Sequence, residues 1–284
     1  MFLSMGVDLR PLAKPKEISF SHLKGKKLAV DTHLVLYQFL TTMPALRDSR
    51  GRLTSYLSGL FYRTTHLMAE GAKLAFVFDG VYGLPKITKT VTEEVMSESK
   101  RLLEALGCPV IQAPSEGEAQ CAFMCKQGKV WAAASQDYDS LMFGTPKLVR
   151  NLTISRYRKL PKGGKAKVRP EIIDLKEFLK QNKINQSQLV SLGMIIGTDF
   201  NLKVPKIGPK NAVKFVRGKK PGQIFDELKP DFDWKQVYEV ITKMPVTEDY
   251  NLKWKEPDFK KIKQILVEEH DFKLERVKSA LEKL

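Results

Sequence analysis

Leu74-Ala75-Phe76-Val77-Phe78-Asp79-Gly80 is the stretch that decides the fold class. Five apolar residues in succession, closed by a carboxylate and a glycine, read as a short strand buried on both faces. The same pattern occurs upstream, where Leu28-Ala29-Val30 ends in Asp31. It occurs again downstream, where Val130-Trp131-Ala132-Ala133-Ala134 runs into Ser135-Gln136-Asp137-Tyr138-Asp139. Helical stretches fit between these runs. From Thr54, Leu57, Leu60, Phe61, Leu67 and Met68 form an amphipathic face that Gly71 closes. From Thr92, Val95, Met96, Leu102, Leu103 and Leu106 repeat the helical spacing before Gly107. Ser115 opens a third helix, with Glu118 at capping-box spacing and Ala119, Ala122 and Phe123 behind it. Strands alternating with helices predict an α/β fold, a mainly parallel central sheet flanked by helices, with ligands at the carboxyl ends of its strands.

Beyond residue 185 the strand signals stop and helices take over. The whole of 1–284 is therefore expected to be one domain, mainly α/β over 1–184 and mainly helical over 185–284. Within the helical part, Val204-Pro205-Lys206-Ile207-Gly208-Pro209-Lys210-Asn211-Ala212-Val213 reads as a short turn feeding a helix. Such a turn offers backbone N–H groups to a phosphate, with Lys210 adding charge, although a Gly-Pro turn also serves as a plain loop.

Composition limits the partners. The 284 residues include 43% hydrophobic ones, enough to bury a core, which excludes a disordered chain. Lys and Arg number 48 against 32 Asp and Glu, a net charge of +16, and this points to nucleic acid or an anionic membrane surface. No apolar run approaches the roughly 18 residues a spanning helix needs, and the N-terminal stretch is too short for a secretory signal, so no membrane role is expected. Cys108, Cys121 and Cys125 cannot pair completely and lack a nearby partner set for zinc; they read as small core residues in an intracellular setting.

Each Asp that follows a strand is, alone, an ordinary helix N-cap. Taken jointly, Asp31, Asp79, Asp137 and Asp139 converge on one edge if the strands lie side by side. Glu116 and Glu118 open the helix before the third run, and the helical part can deliver Asp199 to the same edge. Seven carboxylates in one cleft repel each other unless cations occupy it. Oxygen ligands without His or Cys suit Mg²⁺ or Mn²⁺, and two such ions held close together clamp the attacking and leaving oxygens of a phosphodiester. Glu118 also has the spacing to cap Ser115, and Tyr138 between two acids reads as a packing residue.

The blocks MGVDL (5–9), AVDTHLVLYQFL (29–40), TSYLSGLFYRT (54–64), FVFDG (76–80), APSEGEAQ (113–120), ASQDYDSLMFG (134–144), RNLTIS (150–155), GTDFN (197–201) and IGPKNA (207–212) together resemble the archaeal and eukaryotic flap endonucleases of the XPG-like superfamily over nearly the whole chain. The resemblance implies a PIN-like 5′-nuclease fold and a two-metal enzyme that removes 5′ flaps from branched DNA in replication and repair. It implies that Asp31, Asp79, Glu116 and Glu118 serve chiefly one Mg²⁺ and Asp137, Asp139 and Asp199 chiefly the other. Tyr37 matches the family's tyrosine that stacks on the base beside the scissile bond; without the resemblance it reads as a core aromatic. Residues 203–214 match the helix–two-turn–helix that grips duplex backbone and often holds K⁺ through carbonyls. Lys206, Gly208 and Lys210 are the expected contacts there, with Lys203 and Lys206 standing where the family usually has glycines.

Two departures accompany the match. The family's long basic arch follows FDG, whereas residues 81–106 here are mostly taken up by the helix before Gly107, so the arch is expected to be reduced or missing, with Lys86 and Lys89 as partial substitutes. Residues 268–284 match the family's last core helix, and the tail that binds a sliding clamp does not follow within them. A monomer is expected. The rival readings are a sister nuclease acting as an exonuclease or on four-way junctions, a PIN-like ribonuclease, and a non-catalytic DNA-binding protein.

Overall fold

The computed structural model describes residues 6–80, 91–152, 157–159 and 164–284. Seven strands form one sheet, in the order β1 (Lys16–Glu17), β9 (Glu171–Asp174), β6 (Lys147–Arg150), β5 (Ala132–Ala134), β2 (Lys27–Asp31), β3 (Lys73–Phe78), β4 (Val110–Gln112). The five from β6 to β4 are parallel, β9 pairs antiparallel with β6, and the edge strand β1 pairs antiparallel with β9. The sheet is thus mixed, its parallel part running from β6 to the β4 edge. A separate hairpin pairs β7 (Tyr157–Lys159) with β8 (Lys165–Lys167). From β2 the chain first builds outward through β3 and β4, then returns to β5 and β6 on the other side. The strand order therefore reverses between β2 and β5, and crevices open at such points.

The helices are α1 (Thr32–Thr42), α2 (Ser55–Ala69), α3 (Glu93–Ala105), α4 (Gly117–Lys126), α5 (Asp139–Met142), α6 (Leu175–Asn182), α7 (Gln186–Ile196), α8 (Pro209–Val216), α9 (Pro221–Leu228), α10 (Trp234–Thr242), α11 (Phe259–Lys263), which runs on as a π-helical turn Gln264–Glu268, and α12 (Leu274–Leu281). No described helix is long and apolar enough to cross a membrane.

Strand periodicity sorts the core. On one face Leu28, Val30, Leu74, Phe76, Phe78, Ala132 and Ala134 pack against α1, α2, α3 and the C-terminal helices. On the other, Ala29, Ala75, Val77 and Ala133 pack against Cys121, Met124 and Cys125 of α4. Three alanines side by side let α4 lie close to the sheet. Side chains alternate along a strand, so Asp31, Asp79 and Ser135, which continue the odd-numbered rows, emerge on the α4 side. A third core joins α5 to α10 around Phe225, Leu189 and Met194.

The three anticipated helices form, with one shift. The N-cap of α4 is Glu116, not Ser115, whose hydroxyl lies 3.1 Å from the Met244 sulfur. Glu118 therefore does not cap Ser115. The expected arch segment, with Lys86 and Lys89, lies outside the described residues.

Gly80 ties the end of β3 to the entrance of α4: its N–H donates to the Ser115 carbonyl at 2.6 Å. A Cβ here would stand 2.2 Å from both the Ala113 and Pro114 carbonyl oxygens. Gly80→Ala must displace that backbone and is expected to lower unfolding stability by about 1–3 kcal/mol, measured by urea titration. Gly222→Ala, with open space around its Cβ and no positive φ to strain it, should lose less.

Candidate active site

Every one of the seven carboxylates sits where a backbone element ends or begins. Asp31 is the last residue of β2 and the N-cap of α1, its Oδ1 accepting from the Leu34 N–H at 3.4 Å. Asp79 follows β3, and its Oδ1 accepts the Gly117 N–H at 2.9 Å, the first amide of α4. Glu116 is the N-cap of α4 and Glu118 lies in its first turn. Asp137 occupies the loop after β5, Asp139 begins α5, and Asp199 lies in the turn closed by Thr198 and Asn201. Three helix N-termini thus contribute carboxylates, and the positive end of each helix dipole favours negative charge there.

Hydroxyls and amides link the acids. The Ser135 hydroxyl lies 3.2 Å from Asp31 Oδ2 and 2.8 Å from Glu118 Oε1, and the Ser140 hydroxyl donates to the same Glu118 oxygen at 2.9 Å. The Val7 N–H donates to Asp139 Oδ1 at 2.7 Å. At Gly6 a Cβ would come within about 3.1 Å of both Asp137 and Asp139, so a side chain there would press on both carboxylates. Burial pushes Glu118 well above the usual carboxylate range; Asp31, Asp139 and Asp137 push it further, against the Ser135 hydrogen bond. Asp139 is raised first by burial and then by Asp137, with Asp199 and Glu116 adding to it and the Val7 amide opposing. Asp31, Asp137 and Asp139 thus act on Glu118, and Asp137, Asp199 and Glu116 act on Asp139, while Asp79 is tied to α4 through the Gly117 amide.

Other side chains had no local signal in the sequence. Ser135 and Ser140 are among them, as is His33, in the first turn of α1, whose Nδ1 lies 3.7 Å from Asp79 Oδ2. Tyr37 is one turn further along that helix, half-buried against the core. Tyr138 is buried, with the Arg150 guanidinium 4.1 Å from its ring centroid and donating to its hydroxyl at 2.6 Å, so it packs. A different acidic grouping, Glu98, Glu269 and His270, places its ligand atoms within 4.8 Å of each other. Arg101 donates to both of its carboxylates at 2.9–3.2 Å, so a guanidinium already supplies the cation.

In the helical half, α7 and α8 are joined by a turn in which Lys206 has φ 65°. Gly208 has φ −95° and is the N-cap of α8, with open space where its Cβ would be. The left-handed residue of this turn is therefore the lysine, and the glycine leaves the first turn of α8 open to approach. Lys206 and Lys210 are exposed.

Comparison with known proteins then decides the family. Residues 5–101 match the XPG N-terminal domain and residues 107–199 the XPG I-region. Flap endonuclease 1 of Hyperthermus butylicus is 44% identical over 329 residues, covering 99% of this chain and 94% of the relative. This chain belongs to the flap endonuclease 1 family. That alignment is longer than the 284 residues present, so the relative carries internal residues that this chain lacks. Flap endonuclease-1 from Methanococcus jannaschii superposes with a TM-score of 0.87 at 33% identity, covering 98% of this chain and 97% of that one. The catalytic core of Rad2 in complex with DNA substrate shares the fold, with a TM-score of 0.76 at 23% identity over 96% of each chain.

Flap endonucleases are metal-dependent nucleases, and the donor set fits. Buried carboxylates that raise one another's proton affinity need positive charge nearby to stay ionised, and hard oxygens suit hard cations. Ser135 holds two of the acids in place without adding charge. Ser135→Ala is therefore expected to weaken divalent-ion affinity about 10-fold, read by calorimetry, while the melting temperature stays close to that of the wild type.

Proposed function

We propose that this chain is a structure-specific 5′ flap endonuclease that hydrolyses DNA phosphodiesters where single strand meets duplex, leaving a 5′-phosphate and a 3′-hydroxyl. The observation that carries the reading is the gathering of carboxylates from β2, β3, α4, α5 and the Thr198–Asn201 turn at the edge of the parallel sheet. In this reading Asp31, Asp79, Glu116 and Glu118 hold chiefly one Mg²⁺, and Asp137, Asp139 and Asp199 chiefly the other, with Mn²⁺ able to replace either. When bound, the two ions supply a nucleophilic water and offset charge on the leaving oxygen.

The chain's own groups do the rest. Ser135 and Ser140 orient Glu118, the Gly117 amide orients Asp79, and the Val7 amide orients Asp139. Tyr37, on the helix whose first residue follows Asp31, stacks on the base next to the scissile bond. Lys206 and Lys210, with the open N-terminus of α8 at Gly208, grip phosphates of the duplex, and carbonyls of the same turn would hold a K⁺ ion that adds charge there when bound. Contacts of this kind carry no sequence information, so junction geometry sets specificity. A net charge of +16 supplies the long-range attraction.

Cleavage of an end-labelled double-flap DNA tests the reading. The wild type is expected to cut at the junction only when Mg²⁺ is present, and Asp137→Ala to be slower by about 100-fold or more. Cutting of four-way junctions in preference to flaps would favour a junction resolvase instead. Salt-sensitive binding without cutting by either protein would leave a DNA-binding protein.

A second measurement isolates the turn. Lys206→Glu with Lys210→Glu is expected to flatten the log–log dependence of duplex affinity on salt by about 2, near 0.9 for each lost phosphate contact. Fluorescence anisotropy across a salt series reads this directly.

A further inference from the structure

Two of the strands that carry acids at their carboxyl ends, β2 and β3, begin with lysine, as does β6. Lys27 begins β2, Lys73 begins β3 and Lys147 begins β6. Lys26 immediately precedes β2, and Trp131 immediately precedes β5. In the order β6-β5-β2-β3 these residues lie along one edge of the sheet, spanning about 14 Å at the usual strand spacing. The edge is contiguous: the Trp131 N–H donates to the Lys27 carbonyl and the Lys73 N–H to the Lys26 carbonyl. The Lys26 and Lys147 ammonium groups each lie 5.5 Å from the Trp131 ring centroid. Lys27 stands at the same distance from Trp254, whose indole N–H donates to the Leu74 carbonyl. Exposed Lys253 and Lys255 flank Trp254.

Among the described residues, none of these six lysines forms an ion pair. Acids near this edge include Glu70, beside Gly71, Asp174, opposite Lys147, and exposed Glu256, next to Lys255; Asp174 caps α6. Lys27 and Lys73 occupy matching register positions on adjacent strands, an arrangement of like charges that works against the fold. The two indoles offset part of this repulsion by cation–π attraction, yet Lys73 has no such ring. A polyanion would relieve the remainder. Active-site acids cannot be that partner, because Lys27 and Asp31 are separated by the length of β2, about 13 Å.

We propose that this edge is a second nucleic-acid-binding surface, one that takes single-stranded DNA. Amines alternating with indole rings match a flexible strand, in which phosphates are neutralised and bases are free to stack. The inference rests on DNA being the chain's substrate, but the surface is separate from the carboxylate edge and from the α7–α8 turn, so either can fail alone.

Tryptophan fluorescence reports on it, because two of the three tryptophans, Trp131 and Trp254, lie in the patch, while Trp234 stacks on Phe225 in the helical half. Titration of the intact protein with an oligothymidylate of about 15 nucleotides is expected to quench that fluorescence. In Lys26→Gln/Lys27→Gln/Lys73→Gln the affinity should fall about 10-fold and the log–log salt slope should flatten by about 2, near 0.7 per contact. Junction cleavage by this variant should match the wild type, and Lys206→Glu/Lys210→Glu should keep the quench. Unchanged oligothymidylate affinity in the triple variant would refute the proposal, as would loss of the quench in the α7–α8 variant. Equal competition by polyglutamate would also overturn it, assigning the edge to an acidic protein surface. If the triple variant melts early, Lys73→Gln alone carries the test, with a slope change of about 0.7.

Discussion

Carboxylates crowded together and half removed from water repel each other, and the catalytic half of this protein is organised around holding them there. Burial and mutual repulsion raise Glu118 and Asp139 well above the ordinary carboxylate range. A raised carboxyl pKa means that the folded state binds protons more tightly than the unfolded chain. The associated stability is present at low pH and is lost as pH rises through the shifted value. At neutral pH the ionised site therefore works against folding. The structure counters this with fixed dipoles, because α1, α4 and α5 all begin at the site, and with donors from Gly117, Val7, Ser135 and Ser140. None of these adds a full positive charge, so the balance is left for a bound cation to complete.

That arrangement depends on how closely α4 can approach the sheet. Ala29, Ala75 and Ala133 lie on adjacent strands and present only methyl groups to it. Larger residues there would lift the helix and carry Glu116 and Glu118 away from Asp31 and Asp79. The opposite face has no such restriction, and Phe76, Phe78 and Leu74 fill it against α2 and α3. One sheet thus has a thin side that serves the site and a thick side that supplies stability.

Much of this was legible in the sequence because it is local. A strand that ends in Asp, repeated three times, needs only periodicity to be seen, and parallel pairing then brings the ends together. The outer strands β1, β4, β6 and β9 were not legible: each has two to four residues, too few for a period to register, and their pairing comes from distant segments. Ser135, Ser140 and His33 were missed for the same reason, since their partners lie on other elements. The start of α4 was misread by one position. Ser115 has a suitable side chain, but its carbonyl is used by Gly80, and the N-cap falls one residue later, on Glu116, with the helix starting at Gly117. That shift frees Glu118 from capping and turns it towards Ser135 and Ser140.

The turn before α8 is one of five described places where a side chain sits on left-handed backbone, the others being Asn151, Lys183, Lys229 and Asp271. A residue with φ near +65° is ordinarily glycine, and placing a Cβ there costs roughly 1–2 kcal/mol. Lys206 accepts that conformation while Gly208, two residues on, has a φ that any residue adopts. Relief of strain alone would have put glycine at 206. A lysine held there is explained if its charge is needed beside the open N-terminus of α8, where Gly208 leaves room for a phosphate and Lys210 supplies a second ammonium group. Within the proposed function, the strain and the charge have one origin: the turn is shaped for the anion it binds rather than for its own stability.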